Sequence, residues 1–198
     1  MQVPVFYRVF KKLIDFIGGS VLLLATFPLL AVAALLVKIT SPGPALYRQH
    51  RVGLHGRRFV IRKLRTMVDQ PANGEQRWAE KNDPRITPLG RILRKLRIDE
   101  LPQLLNVIAG QMSLVGPRPE QPDIAAQLEK EIPFFRARGK VLPGITGWAQ
   151  VKYRYGNSVD DSRIKLEYDL YYIKNRSILL DLIILAKTVR IVLGLKGH

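Results

Sequence analysis

Apolar positions are unevenly spread along this chain, and the longest run of them comes first. Phe16–Val37 holds 22 residues without a charge, bounded by Asp15 and Lys38. A helix needs about 20 residues to cross the hydrocarbon core of a bilayer, so this run is long enough to span. Its length, with no small-residue cleavage site before the basic region that follows, argues against a cleaved signal peptide. Pro28 lies near the middle, where it removes a backbone hydrogen bond and crowds the preceding turn. Arg8, Lys11 and Lys12 precede the run, and Lys38, Arg48 and Arg51 follow it. By the positive-inside tendency, both flanks belong on the cytoplasmic side. A helix bent at Pro28 that enters and leaves by one face satisfies both flanks. A tilted span with a proline kink is equally compatible with these residues.

Ser41-Pro42-Gly43-Pro44 ends that segment. Ala45–Val52 and Arg58–Arg65 then read as short strands joined through Gly53–Gly56, a hairpin. Val68–Pro84 is polar and carries Pro71, Asn73 and Gly74, the composition of a loop. From Leu89 the spacing of Ile92, Leu93 and Leu96 predicts a helix, with Arg91, Arg94, Lys95 and Arg97 on its other faces. A second helix follows Pro102 and ends near Gly110. Pro122–Lys130, Ile132–Arg138 and Ser162–Lys174 predict further helices. In Ile178–Leu195 the residues Leu182, Leu185, Ala186, Val189 and Leu193 share one side, away from Lys187 and Arg190. That pattern suits a helix lying in a membrane interface, with a buried core helix as the alternative. No internal repeat or low-complexity tract is present. The fold predicted is α+β, mostly α, with a membrane segment over 1–40 and a folded domain over 41–198.

Composition narrows the partners. A chain of 198 residues suffices for one domain with a real core. It has no cysteine, which excludes disulfides and thiolate metal sites, and its three histidines (His50, His55, His198) are scattered, which argues against zinc. The net charge is +16, yet 47% of residues are hydrophobic, so the chain is no disordered polycation. Its excess charge points to nucleic acid, an anionic membrane surface or phosphorylated substrates. No helix-turn-helix, zinc-finger or RNA-recognition signature occurs. With the long apolar run, this favours the membrane.

The densest chemistry lies in Arg97-Ile98-Asp99-Glu100-Leu101-Pro102-Gln103. Proline is tolerated in a first helical turn, which places Asp99 and Glu100 at the entrance of the helix running on through Gln103–Ile108. Free backbone N–H groups and the upstream cations would lower both carboxyl pKa values together. An ionised carboxylate among cations can act as a nucleophile or hold a divalent metal. The simpler alternative is a helix cap at Asp99 and a solvated first-turn acid at Glu100. Alternation puts Lys63 and Arg65 on one face of the second strand, a pair that could hold a diphosphate or merely decorate an edge. In Gly116-Pro117-Arg118-Pro119, two prolines restrict the backbone around Arg118 and Gly116 allows close approach. That suits an arginine fixed for a phosphate or carboxylate. Leu142–Gln150 reads as a turn feeding an extended segment, structural rather than catalytic.

In order, the segments ITSPGPALYRQHRVG, RKLRTM, DPRITPLGRILRKLRIDELPQLLNV, MSLVGPRPE, LPGITGWAQV and KLEYDLYYIKN closely resemble the bacterial sugar transferases, the monotopic phosphoglycosyl transferases. The resemblance runs from the apolar segment through Asp181, and DELPQLLNV followed by SLVGPRP is its most specific part. It implies transfer of a sugar-1-phosphate from a UDP-sugar to polyprenyl (undecaprenyl) phosphate with release of the nucleoside monophosphate. It also implies a re-entrant membrane helix broken at a proline, matching Pro28, and a catalytic domain on the cytoplasmic face of the bacterial inner membrane. Asp99 matches the nucleophile, Glu100 the Mg²⁺-binding partner and Arg94 a phosphate contact. Lys63, Arg65, Pro117, Arg118 and Pro119 fall in motifs that line the nucleotide-sugar site. Leu64 departs from a common phenylalanine, and Arg97 from a common small polar residue. The long N-terminal membrane domain of larger members is not expected here. Trp148–Tyr155 and Tyr168–Asn175 resemble the hexose-1-phosphate branch used in exopolysaccharide assembly. Nucleic acid is not an expected partner, and the residues are compatible with a monomer or a homodimer.

The expected mechanism is double displacement: Asp99 attacks the sugar-bearing phosphorus, and polyprenyl phosphate then attacks the aspartyl phosphosugar. One substrate arrives from water and the other from the bilayer, so the site should lie at the interface. Two rivals are a basic membrane scaffold for anionic lipid or nucleic acid and a lipid-phosphate phosphatase. The scaffold leaves the Asp99-Glu100 pair and the Pro-Arg-Pro loop unexplained.

Overall fold

A computed structural model describes residues 5–68, 83–153 and 158–194. It opens with α1, a 36-residue helix over Val5–Thr40. One stripe of α1 is covered by the rest of the protein: Asp15, Gly19, Ala33 and Val37 are buried, and Leu23, Leu30 and Ala34 pack against the cores beneath. The remaining faces are bare. Only 11% of the most apolar window of the helix is buried, and Leu24, Phe27, Val32 and Leu35 are exposed. The helix is continuous through Pro28, so any change of direction there is a bend and not a break. Pro28 withholds one N–H from the ladder. The neighbouring turn is backed by the Thr26 hydroxyl, which donates to the Leu22 carbonyl at 2.7 Å.

Strands β1 (Leu46–Val52) and β2 (Arg58–Leu64) form the expected antiparallel hairpin, with Leu46 opposite Leu64 and Val52 opposite Arg58. The loop predicted over Val68–Pro84 falls mostly on residues 69–82, outside the described residues; its ends meet where Val68 N donates to Arg85 O at 2.9 Å. Helix α2 (Pro88–Lys95) starts at a Thr87 cap whose hydroxyl accepts from Gly90 N at 2.9 Å. It stops short of the predicted end because Arg97 takes a left-handed conformation, φ 58°. A bulky residue pays about 1–3 kcal/mol for such backbone.

The next turn corrects the sequence expectation. Asp99 and Glu100 lie in a 3-10 helix over Ile98–Gln103, ahead of the short helix α3 (Leu104–Ile108), and not in the first turn of one α-helix. Strand β3 (Ser113–Val115) leads into the Pro-Arg-Pro loop, followed by α4 (Pro122–Glu131). The helix expected over Ile132–Arg138 is replaced by a 3-10 segment over Phe135–Lys140, because Phe134 is also left-handed. The extended part of Leu142–Gln150 shrinks to β4 (Gly144–Thr146), which pairs in parallel with β3 before α5 (Trp148–Lys152) begins. Helices α6 (Val159–Asn175) and α7 (Ile178–Val192) complete the described chain.

Three apolar clusters hold these elements together. One joins Ile61, Leu104, Val107, Met112, Leu114, Tyr172 and Ile184; a second lies between α4 and α6; the third seats Ala33 and Val37 of α1 on Leu64 and Leu93. On α7 the predicted stripe is largely bare at Leu182, Ala186, Val189 and Leu193, while Leu185 is half-buried against the core.

Candidate active site

Three pieces of chain meet around two adjacent carboxylates: the end of β2, the 3-10 turn at 98–103 and the loop after β3. Asp99 and Glu100 are both buried, 7% and 8% exposed, yet they have opposite surroundings. Glu100 is clasped by cations. Lys63 Nζ lies 3.0 Å from its Oε1, Arg118 Nη2 is 2.5 Å from the same oxygen and Arg118 Nη1 is 3.4 Å from Oε2. Burial alone would raise its pKa, but Arg118 and Lys63 outweigh burial and hold it well below the ordinary 4.5. Asp99 takes part in none of these bonds. Burial, then the charge of Glu100, push its pKa up from 3.8 to about 6 against the pull of Lys63, Arg94 and Arg97. The expectation that dipole and cations would lower both acids together therefore fails for Asp99. Lys63 and Arg118 hydrogen-bond to Glu100 and not to Asp99, where burial outweighs the more distant pull of the cations.

The predicted cations divide into two groups. Lys63 and Arg118 meet at Glu100. Arg94 stands nearby, its Nε donating to Thr66 Oγ1 at 2.8 Å. Arg65 is not brought to this cluster. It is 6% exposed and turns to the end of α1, donating to the carbonyls of Pro42 at 2.5 Å and Ser41 at 2.7 Å and to the Ser41 hydroxyl at 2.9 Å. Its Nη2 also reaches the Val37 carbonyl at 3.4 Å, one of the last four that the end of α1 leaves without an intrahelical partner. Pro117 and Pro119 hold the loop through their carbonyls, which accept from Gly144 N at 2.9 Å and Arg51 Nη1 at 3.1 Å. Gly116 is required here, since a Cβ would collide with the Leu142 carbonyl.

Among the described residues no group of three or more acids, histidines or cysteines could cage a metal ion. The donor set still fits Mg²⁺ in its usual mode, which uses one or two carboxylates and completes the octahedron with substrate phosphate and water. Asp99 and Glu100 are the residues that would hold it.

The bacterial sugar transferase family matches residues 6–195. The chain belongs to this family. It is 46% identical over 187 residues to a UDP-N-acetylgalactosamine-undecaprenyl-phosphate N-acetylgalactosaminephosphotransferase of Aeromonas hydrophila, covering 94% of this chain and 44% of that protein. It is 44% identical over 181 residues to a UDP-glucose:undecaprenyl-phosphate glucose-1-phosphate transferase of Caulobacter vibrioides, covering 90% of this chain and 68% of that one. An uncharacterized sugar transferase of Bacillus subtilis, EpsL, matches at 40% over 190 residues, 96% of this chain and 90% of its own. The chain thus spans less than half of the Aeromonas relative.

In this member of the family the structure brings to the candidate site residues that sequence reasoning missed. Arg51 stands behind Pro119, Thr66 holds Arg94, and Arg138 with Asp169 stands behind Arg118. Arg51 was within reach of the sequence. The hairpin register opposes Arg51 to Phe59 and Tyr47 to Lys63, so period-2 alternation puts Arg51 and Lys63 on one face. Arg138 and Asp169 are 31 residues apart and carry no such signal.

Proposed function

We propose that this chain transfers a sugar-1-phosphate from a UDP-sugar to polyprenyl phosphate through a covalent aspartyl phosphosugar. The observation that carries the reading is the split between neighbours: Glu100 is locked between Lys63 and Arg118, while Asp99 is left out of that lock and has a pKa of about 6. An acid of that pKa is largely ionised at neutral pH and remains a better nucleophile than an ordinary carboxylate. The names of the relatives support the substrate pair, and those names differ in the sugar, glucose or N-acetylgalactosamine.

In the first step an Asp99 oxygen attacks the sugar-bearing phosphorus. A new O–P bond forms, the bond to the bridging oxygen breaks, and UMP leaves with that electron pair. In the second, a phosphate oxygen of the lipid attacks the same phosphorus and releases Asp99. Arg118, Lys63 and Arg94 offset the charge of the diphosphate and of the departing monophosphate. Mg²⁺ held at Asp99 and Glu100 would supply further charge neutralisation.

The membrane reading belongs to the same proposal. The docking of α1 along one stripe from Asp15 to Val37 supports a re-entrant reading, in which the helix and its domain stay on one side of the bilayer. Its bare faces, with those of α7, suit a protein seated in one leaflet, here the cytoplasmic leaflet of the bacterial inner membrane.

The test uses enzyme, Mg²⁺ and a panel of UDP-sugars that includes UDP-glucose and UDP-N-acetylgalactosamine, without lipid acceptor. One donor should release UMP stoichiometrically and add a phosphosugar to the protein, mapped to the peptide holding Asp99. Adding polyprenyl phosphate should then yield glycolipid and turnover. Glycolipid formed with no trapped adduct, together with an Asp99→Asn variant that still turns over, would remove the covalent route. Inorganic phosphate as product would indicate a phosphatase.

A further inference from the structure

The loop carrying Arg118 is fastened at four successive carbonyls. Pro117 O accepts from Gly144 N at 2.9 Å, Arg118 O from Arg138 Nη2 at 2.8 Å, Pro119 O from Arg51 Nη1 at 3.1 Å, and Glu120 O from Val52 N at 2.9 Å. Two of the four donors are guanidinium groups. Arg138 is itself seated: its Nε donates to Asp169 Oδ2 at 2.7 Å, its Nη1 lies 3.6 Å from Glu120 Oε1, and it stacks over the Phe135 ring at 4.9 Å. Asp169 is 1% exposed. A buried ion pair is a weak source of stability, because desolvation offsets most of its attraction, and an apolar pair of similar size would pack as well. What the pair supplies and an apolar pair would not is a rigid donor aimed at the Arg118 carbonyl.

We infer that Arg138, oriented by Asp169, and Arg51 are positioning residues that fix the backbone of Arg118 so that its guanidinium meets Glu100 and the nucleotide sugar. Arg138 is held by Asp169 and Glu120 and reaches the site through the Arg118 carbonyl, whereas Arg51 holds the Pro119 carbonyl and also lies within electrostatic reach of Glu100, so the test rests on Arg138. The inference rests on Arg118 serving the donor site proposed above.

A double-mutant cycle separates positioning from general support. UMP release is measured with Mg²⁺, polyprenyl phosphate and the UDP-sugar that the wild type accepts, for Arg118→Ala, Arg138→Gln and the double variant. Arg138→Gln should lower kcat/KM by about tenfold, chiefly through KM, and the double variant should match Arg118→Ala within about twofold, because contacts that act as one unit are not additive. Losses that multiply, or an unchanged kcat/KM in Arg138→Gln, would overturn the positioning role while leaving the transferase reading intact. If Arg138→Gln does not fold, Asp169→Asn completes the same cycle and should be equally non-additive with Arg118→Ala. Amide exchange gives a readout independent of turnover. The Gly144 and Val52 amides should exchange faster in Arg138→Gln, and unchanged protection at both would count against the inference whatever the activity.

Discussion

Asp99→Asn should abolish transfer and make the protein more stable at neutral pH. The carboxyl is 7% exposed and its pKa stands at about 6 where the ordinary value is 3.8. A folded-state pKa above the unfolded one means that the fold favours the protonated acid. The associated stability is complete below the unfolded value and is lost as pH rises through the folded one. Between about pH 4 and pH 6 the unfolded chain has already released this proton while the folded chain keeps it, and stability falls. Above pH 6 the whole difference is lost, on the order of 3 kcal/mol. Asparagine keeps the shape and does not titrate, so it escapes the loss. At pH 7.5 the variant should gain about 1–3 kcal/mol, which raises Tm by roughly 3–10 °C for a chain of this size. The gap should largely close at pH 4. Intrinsic tryptophan fluorescence during heating in detergent without Mg²⁺, run at several pH values, measures it directly. A variant that melts below the wild type at pH 7.5, or a gap that does not change from pH 4 to 7.5, would refute the buried, strained ionisation of Asp99.

Without Mg²⁺, carbodiimide modification of Asp99, which needs the protonated acid, should fall away as pH rises through about 6, and labelling lost already at pH 4 would count against its raised pKa. Arg94→Ala and Arg118→Ala each remove a charge-assisted contact worth about 1.5–3 kcal/mol, so turnover at low UDP-sugar should fall by roughly one to two decades while membrane association persists. Glu100→Gln should weaken Mg²⁺-dependent turnover but leave Asp99 able to form the adduct, with partial rescue by excess Mg²⁺; full activity in chelator would remove the metal from the scheme. If α1 enters and leaves by one face, cysteines at Phe6 and Thr40, in a chain with no native cysteine, should both resist labelling from outside intact cells. Pro28→Leu should expose Phe6, and labelling of Phe6 in the parent would end the re-entrant reading.

Features set by local pattern were legible in the sequence. The uncharged run marks α1, and the hairpin strands fall within a residue of their predicted bounds because alternation and the Gly53–Gly56 turn fix them. Features set by distant contacts were not. Strands β3 and β4 are three residues each and pair across 31 positions, too short to show a period and too far apart to suggest a hairpin. The left-handed turns at Arg97 and Phe134 also went unseen, since neither is a residue that favours that conformation. The opposite fates of Asp99 and Glu100 have the same origin. In the sequence they share the same neighbours, and only the fold brings Lys63 and Arg118 to one of them.

Lys63 and Arg65 show how far a correct local rule can carry a functional reading. Alternation does relate them, yet strand geometry fixes only the direction in which a side chain leaves the backbone, and what waits there is decided by elements elsewhere in the chain. Lys63 meets the 3-10 turn and its Glu100. Two residues on, the strand has reached the end of α1, where the Val37 carbonyl and those of Ser41 and Pro42 just past the helix accept from a cation. A guanidinium with five donors can satisfy several of these carbonyls at once, which a lysine could not do in the same fixed geometry. Thr66, the next residue, turns back to hold Arg94. Within four residues the chain therefore touches the acid pair, the end of α1 and a second cation of the candidate site. Arg65→Lys separates these roles. It keeps the charge but loses the fork, so it should loosen the end of α1 and lower Tm, and its effect on KM should be smaller than that of Arg94→Ala. A KM effect as large as that of Arg94→Ala, with Tm unchanged, would return Arg65 to the substrate site.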